Sequence, residues 1–358
     1  MKTKLLLFFF LLSHTVLWAQ RAGYWQQAVD YRMDIDVDTK NYQYKGEMVL
    51  KYTNNSPQAL EKVYFHLYFN AFQPGSMMDH RLAHIPDPDP RMIVRTGTAE
   101  RATTTSRIAK LKPAQIGYQH IESLTMNGQP TTFQVDGTIL EVTLPAPIGS
   151  GETVTFDMRW DAQVPEQIRR SGRNSAEGVA LSMTQWYPKM AHFDEFGWHL
   201  DEYVAREFVA PFGNFDVTLH LPKNYVVGSS GVLQNPHEVK GYDQKAKVLA
   251  PKGKATWHFK AENIHDFAWA ADPKFVVDST KSTGGVTVYT VYNPTNKQVI
   301  ENWKTAQELA ADFFDFCAAR FGPYPWPTYT IVQGGDGGME YGTATLVTGG
   351  RNIKSLVG

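Results

Sequence analysis

The segment at residues 334–341 reads Gly-Gly-Asp-Gly-Gly-Met-Glu-Tyr and has the residue types needed to bind the first residue of a peptide. Strand-like runs at residues 328–332 and 343–348 flank it. Glycine lets another backbone approach closely, and a strand beside such a turn can pair with an extended peptide. A carboxylate at that edge, Glu340, can hold the ammonium of a free N-terminus. By itself, a short glycine-rich stretch is better explained as a tight hairpin turn.

A second polar group suits a metal by residue type. Its members are His192, Asp194, Glu195, His199, Asp201 and Glu202. Two histidines seven residues apart in a glycine-containing segment match no familiar zinc pattern, so a polar loop between strands is the favoured interpretation. The sequence contains no His-Glu-x-x-His, no Gly-x-Ser-x-Gly and no phosphate-binding loop.

Gln185 precedes Trp186, Tyr187 and Pro188. Aromatic residues before a proline indicate an extended, packed segment, which is the simplest interpretation of this stretch. Alternatively, Gln185 presents its amide to the ammonium or the backbone of a substrate.

The N-terminus has the features of a signal peptide at residues 1–19. Lys2 and Lys4 precede an apolar run at residues 5–12, and Ala19 is a small residue at a plausible cleavage point. This run is too short to span a bilayer. We therefore expect an exported protein, periplasmic or secreted, without a stable membrane span after signal cleavage.

Composition narrows the class of protein. The 358 residues are 42% hydrophobic with a formal charge of -1, which suits a sizeable core and provides no basic block for nucleic acid. Cys317 is the only cysteine, so no intrachain disulfide can form. It lies on the apolar side of a predicted helix, as a small core residue would.

The pattern of hydrophobic residues changes along the chain. Up to about residue 278 apolar residues mostly alternate with polar ones, as in Tyr31, Met33, Ile35 and Val37, and turn signals separate the runs. This predicts antiparallel sheets. Residues 73–107 are proline-rich and predict an irregular insertion of unassigned role. Residues 294–321 have helical spacing, with Asn293-Pro294 as the predicted start and Gly322-Pro323 as the stop.

Several segments resemble the N-terminal part of aminopeptidase N-like zinc metallopeptidases of the gluzincin group. Residues 337–341 are similar to the family's exopeptidase motif, Gly-Ala/Gly-Met-Glu-Asn, with Tyr341 in place of the asparagine. Residues 184–188 and 212–217 resemble the region after the family's substrate-binding glutamine. Residues 321–326 resemble the helix end before the motif strand. Their order is that of the family, and they cover most of the chain after Tyr24.

The resemblance implies a mainly β, saddle-like N-terminal domain of antiparallel sheets at residues 20–280. The start of an α/β thermolysin-like catalytic domain follows at residues 281–358. It also implies a substrate-binding set in which Glu340 binds the α-amine, Gly337, Gly338 and Met339 line the substrate backbone, Gln185 assists, and Tyr341 replaces the asparagine. Zinc is expected for the complete enzyme, but no zinc ligand or catalytic residue is recognised in this chain.

We therefore predict the N-terminal portion of an exported zinc aminopeptidase that acts on peptides with a free N-terminus. The chain is expected to end before the zinc motif and to be inactive alone. The alternative is a non-catalytic, exported, β-rich binding or scaffold protein in which the turn at residues 334–341 is structural. The helix at residues 294–321 distinguishes these two hypotheses. Its side chains Trp303, Phe313 and Phe314 have more apolar surface than one short strand pair can bury.

Overall fold

The computed structural model describes residues 23–98, 101, 103–204, 209–335, 338–349, 352–353 and 356. The predicted signal peptide lies outside the described residues. The strands, in chain order, are β1 Ala28–Asp38, β2 Gln43–Thr53, β3 Leu60–His66, β4 Ile93–Thr96, β5 Thr103–Ser106, β6 Tyr118–Met126, β7 Gln129–Pro130, β8 Thr132–Asp136, β9 Ile139–Ile148, β10 Thr153–Gln163, β11 Gly172–Arg173, β12 Leu181–Met183, β13 Lys189–Met190, β14 Phe193–Asp194, β15 Gly197–Trp198, β16 Gly213–Pro222, β17 Val226–Ser229, β18 Val232–Leu233, β19 Lys254–Ile264, β20 Trp269–Asp272, β21 Val276–Lys281, β22 Thr287–Tyr292, β23 Thr328–Gln333, β24 Met339–Glu340 and β25 Ala344–Val347.

Helices are few among the described residues. The α-helices are α1 Met77–His84 and α2 Lys297–Phe321, and short 3₁₀ turns occur at Tyr68–Ala71, Pro90–Met92, Ile108–Lys110 and Pro251–Gly253. No helix in the described part of the chain is both long and apolar enough to cross a membrane.

The largest sheet has eight strands in the order β18-β19-β16-β1-β2-β10-β6-β7. Its pairs are antiparallel except β1 with β16, which run parallel. Burial along β1 alternates strictly, with Tyr31, Met33 and Ile35 inside, because one face of the sheet covers the core and the other meets solvent. The prediction of a mainly β, antiparallel N-terminal region is confirmed.

Two four-stranded sheets, β11-β12-β20-β17 and β13-β3-β9-β8, share the main core with this large sheet. A five-stranded sheet follows in the order β21-β22-β23-β25-β24. Its central pairs are parallel and its outer pairs antiparallel, so mixed α/β structure follows the β region as predicted. At Gly228 of β17 a Cβ atom would lie 2.7 Å from Val332 and 2.9 Å from Val291, so glycine allows the sheets to pack closely.

The long helix α2 covers one face of the five-stranded sheet. Trp303 is fully buried and stacks on Tyr292 of β22, with ring centroids 4.9 Å apart. The helix ends at Phe321, before Gly322, as predicted, but the predicted start is wrong. Asn296, not Asn293, caps the helix by accepting a hydrogen bond from the Val299 N–H. The Asn293 N–H instead donates to the Gln333 side chain, which holds residue 293 outside the helix.

The proline-rich insertion is more ordered than predicted. It contains α1, capped by Ser76, and the hairpin of β4 and β5. The helix precedes the closely spaced prolines, so those prolines do not disrupt it. The predicted domain division near residue 280 remains a prediction; β21, which ends at Lys281, pairs with β22 beyond it.

Candidate functional site

The motif glutamate lies on β24, the last strand of the five-stranded sheet. Met339 pairs with Leu346 and Glu340 with Thr345 of β25, and the sheet order ends at β24. Within the described residues, the other side of β24 pairs with no strand. This side therefore has the backbone geometry onto which an extended peptide can add.

The glycines before β24 bring the turn against a second part of the chain. Gly334 and Gly335 are buried, and a Cβ at Gly335 would overlap the amide of Gln167. The Oε1 atom of Gln167 is buried and accepts no hydrogen bond from any described residue. Of the remaining turn residues, Gly338 is exposed, whereas Gly337 lies outside the described residues.

Met339 and Tyr341 fix the orientation of β24. Arg170 Nη1 contacts the Met339 sulfur at 3.0 Å, and Tyr341 is buried on the same side of the strand. Side chains alternate along a strand, so Glu340 lies on the opposite face and is exposed. Burial, partly offset by a hydrogen bond with Thr345, raises the pKa of Tyr329 to about 12, and the Glu340 carboxylate adds to this shift. Glu340 and Ile331 both pair with Thr345, so Tyr329, two residues before Ile331, lies on the same face of the sheet as Glu340.

The tyrosine that replaces the motif asparagine is a buried group. Burial, followed by the negative charge of Asp266, raises the pKa of Tyr341, while Arg170 and Thr184 act in the opposite direction. The Tyr341 side chain packs into the main core, so its role in this structure is to anchor β24.

Gln185 combines two features that are unusual for a packed residue. Its φ angle is +53°, in the left-handed region that costs a non-glycine residue free energy. Its amide is buried, and Nε2 has no hydrogen-bond partner among the described residues. The Oε1 atom accepts a hydrogen bond from Thr184 Oγ1 at 3.0 Å, and Ser171 Oγ lies 3.3 Å from it. The Thr184 hydroxyl can donate to the amide oxygen or accept from the amide nitrogen. The amide atom of Gln185 that is left without a hydrogen-bond partner is therefore the nitrogen in one orientation of the amide and the oxygen in the other.

Thr184 connects the predicted residues with one another. It is adjacent to Gln185, it interacts with Tyr341, and its carbonyl accepts a hydrogen bond from Ser171 Oγ at 2.6 Å. Gln185 and Tyr341 are thereby brought together. Glu340 is not joined to Gln185: its carboxylate makes no hydrogen bond or ion pair within the described ranges.

Asp266, whose charge acts on Tyr341, belongs to a buried ion pair. Lys189 Nζ is 2.9 Å from Asp266 Oδ2, and the side chains are 1% and 0% exposed. Burial lowers the pKa of Lys189, and the nearby carboxylate opposes that shift. The other oxygen of Asp266 accepts hydrogen bonds from the Tyr187 hydroxyl at 3.0 Å and the Phe267 N–H at 2.9 Å.

Sequence reasoning missed Gln167, Arg170 and Asp266, which surround the predicted residues in space. Nothing in the spacing of these three indicated a site. Lys189 immediately follows the motif-like residues 184–188, and this was the one available signal.

No cluster of metal-ligand side chains is found at the described residues of the turn. In the described part of the chain, the one group of three side chains with clustered metal-ligand atoms is His192, Asp194 and His199. It belongs to the β14–β15 hairpin and not to the sheet that carries Glu340. The polar segment thus forms a hairpin whose histidines are in contact, where a loop was expected.

Comparison with known proteins identifies the fold. No protein-family model and no curated protein matches the sequence. A structural match is a two-domain M1 zinc metallopeptidase, a mutant bound to L-tryptophan, with TM-score 0.54 and 12% identity over 94% of this chain and 65% of that chain. The M1 zinc metallopeptidase from Deinococcus radiodurans matches with TM-score 0.52 and 12% identity over 94% and 63%. A mutant of it bound to a Tyr-Ser-Ala substrate matches with TM-score 0.50 and 14% identity over 89% and 60%.

The chain therefore has the fold of the N-terminal portion of the M1 zinc metallopeptidases. It spans less than two thirds of the length of each of these structures, at 60–65%. At 12–14% identity the likeness concerns the fold.

Proposed function

We propose that this chain is the N-terminal portion of an exported zinc aminopeptidase, and that its own part in the reaction is to bind the free N-terminus of a peptide. The observation that carries the proposal is the position of Glu340. It is an exposed carboxylate without a partner among the described residues, on an edge strand of a sheet. The fold, which is that of M1 zinc metallopeptidases, supports it.

In this proposal the peptide lies along β24 as an added strand. Backbone hydrogen bonds to the edge align the peptide, and these bonds do not depend on the identity of its side chains. Glu340 pairs with the α-ammonium, and that pairing restricts binding to peptides with a free N-terminus. Residues 337–339 line the peptide backbone.

Gln185 is assigned to the peptide as a second polar contact. Its strained backbone and the amide nitrogen without a partner among the described residues are costs to the folded protein, and such costs are typical of binding sites. Gln185 is linked through Thr184 to Tyr341 and makes no hydrogen bond with Glu340. We therefore assign its amide to a backbone group of the peptide, and not to the α-ammonium that Glu340 binds.

The zinc ion of the complete enzyme activates a water molecule, and this chain has no His-Glu-x-x-His to hold it. We therefore expect residues 1–358 alone to bind peptides without hydrolysing them. The apolar surface of α2 supports a larger protein: Phe313 is 61% exposed, Phe316 49% and Phe321 83%. Aromatic side chains grouped in this way normally pack against further protein.

The first experiment is to read the coding DNA beyond codon 358. A frame that continues into His-Glu-x-x-His, with a glutamate on a later helix, would support the aminopeptidase. A stop codon at this position would overturn it and leave the non-catalytic binding or scaffold protein as the leading function.

A second experiment tests recognition directly. Titration of the 358-residue chain with a short peptide and with its N-acetylated form should show binding of the free amine only. Equal binding of both forms would show that the chain does not recognise the α-amine, and would contradict the proposal. Export is tested separately, by fractionating cells and sequencing the N-terminus of the mature protein.

A further inference from the structure

The β14–β15 hairpin places three metal-ligand side chains on one face. Phe193 pairs with Trp198, so His192 and His199 are the next opposed residues, and the His199 N–H donates to the His192 carbonyl at 2.9 Å. Asp194 is two residues after His192 and therefore points to the same face. Cross-strand neighbours and residues at i and i+2 are close enough to bind the same metal ion. The hairpin geometry thus achieves what the seven-residue sequence spacing did not suggest.

The ligand atoms are near the separations that a metal ion needs. His199 Nε2 lies 2.8 Å and His192 Nε2 lies 3.6 Å from Asp194 Oδ2, and all three ligand atoms are within 4.8 Å of one another. Ligands bound at about 2.0–2.2 Å in a tetrahedral zinc site are about 3.3 Å apart. An ion would be accommodated if His199 Nε2 moved slightly away from Asp194 Oδ2 and His192 Nε2 moved slightly towards it.

The arrangement of the three side chains also suits a cation. His192 Nδ1 is enclosed without a partner among the described residues, which leaves Nε2 to face the Asp194 carboxylate. Imidazole nitrogen and carboxylate oxygen are both common ligands of zinc.

The hairpin is held in place from its other face. The Phe193 and Trp198 rings lie 4.9 Å apart, Trp25 lies 5.6 Å from Phe193, and Tyr64 of β3 lies 5.3 Å from Trp198. These contacts order the backbone before any ion arrives. A pre-organised backbone reduces the entropy lost when ligands are fixed.

We propose that His192, Asp194 and His199 form a binding site for a divalent transition-metal ion of the zinc class. Two imidazoles and one carboxylate supply three ligands, and water completes the coordination, since all three side chains are partly open to solvent, at 14%, 27% and 35%. Imidazole selects zinc, copper, nickel or iron over magnesium and calcium. The site does not depend on the peptide-binding function proposed above.

The test is metal titration of the purified, untagged 358-residue chain. Zn²⁺ is titrated in competition with a chromophoric chelator, and Co²⁺ is used as a spectroscopic probe. We expect one ion per chain, and a visible Co²⁺ spectrum with imidazole coordination. The variants His192→Ala, His199→Ala and Asp194→Asn should each weaken Zn²⁺ binding by at least about tenfold. Bound Zn²⁺ should also raise the melting temperature of the wild type.

His258→Ala is the matched control. His258 Nε2 forms a similar contact with Asp216 Oδ1, at 2.7 Å, but in the described part of the chain no third His, Cys, Asp or Glu brings a ligand atom to this pair. This variant should bind Zn²⁺ like the wild type. The proposal is overturned if the wild type shows no imidazole-type Co²⁺ spectrum, a result that requires no variant to fold. It is equally overturned if the nearly isosteric, folded Asp194→Asn variant binds as tightly as the wild type.

Discussion

Arg170 Nη1 lies 3.0 Å from the sulfur of Met339, and this contact joins two parts of the chain that are 169 residues apart. It holds one face of β24 against the β-rich region. Since side chains alternate along the strand, the same contact directs Glu340 away from that region, to the exposed face. The orientation of the proposed recognition group is thus decided by its neighbour in sequence.

Replacing Glu340 tests the proposed recognition of the ammonium group. In a protein that joins these residues to the zinc-bearing segment, Glu340→Ala should lower kcat/KM for peptides by at least about 30-fold. This corresponds to the ~2 kcal/mol lost with one partner of a desolvated charge pair. Steady-state peptide hydrolysis measures it. Glu61→Ala, an exposed glutamate on β3, should have no effect. Unchanged turnover in Glu340→Ala would contradict the assignment.

Gln185 should be dispensable for stability. Gln185→Gly relieves the left-handed backbone and removes a buried amide nitrogen that has no partner among the described residues, which offsets the packing and the Thr184 hydrogen bond that are lost. We expect the free energy of unfolding to stay within about 1 kcal/mol of wild type in urea denaturation, while peptide binding weakens.

Gln119 provides the comparison for that result. It is also a buried glutamine, but it accepts from the Phe69 N–H and donates to the Trp186 carbonyl. Gln119→Ala leaves the buried Phe69 N–H without its partner and should cost about 1–3 kcal/mol. Equal losses for Gln185→Gly and Gln119→Ala would show that Gln185 is an ordinary core residue.

The ion pair of Lys189 and Asp266 should behave as a fully buried pair. Lys189→Met leaves a buried carboxylate without its cation and should cost about 3–5 kcal/mol in chemical denaturation. Lys62→Met breaks the more exposed contact with Glu141 and should cost less than about 1 kcal/mol. The double variant Lys189→Met, Asp266→Asn should recover part of the loss; a further decrease would argue against a coupled pair.

Asp315 should make stability depend on acid pH. Its carboxylate, on α2, accepts from the Gly284 N–H at 2.8 Å and the Thr283 N–H at 2.9 Å, and these bonds lower its pKa. The unfolded chain binds the proton first as pH falls, so the contribution is present above the unfolded value of 3.8 and is lost as pH falls through the folded pKa.

Melting temperatures across this pH range test the point. Asp315→Asn should melt below wild type at neutral pH, and the difference should shrink in acid. Asp312→Asn, an exposed neighbour on the same helix, should follow the wild type throughout. A constant difference between Asp315→Asn and wild type at all pH values would exclude the carboxylate as its source.

The sequence by itself determined the elements of this protein. Alternation in residues such as Tyr31, Met33 and Ile35 predicted β1, helical spacing predicted α2 and its end before Gly322, and the glycine turn predicted a break before Glu340. These features depend on residues only a few positions apart, so their periodicity can be recognised in the sequence. The start of α2 was wrong by three residues because both Asn293 and Asn296 can cap a helix, and only a contact with Gln333 excludes the first.

Tertiary structure alone decided which side chains meet. It brought Arg170 to Met339, Lys189 to Asp266, and the two hairpin histidines to Asp194. Such contacts depend on sheet order, strand register and the packing of one sheet on another. Sheet order, register and packing follow from burial over the whole chain, so they cannot be predicted from the spacing of residues within one segment.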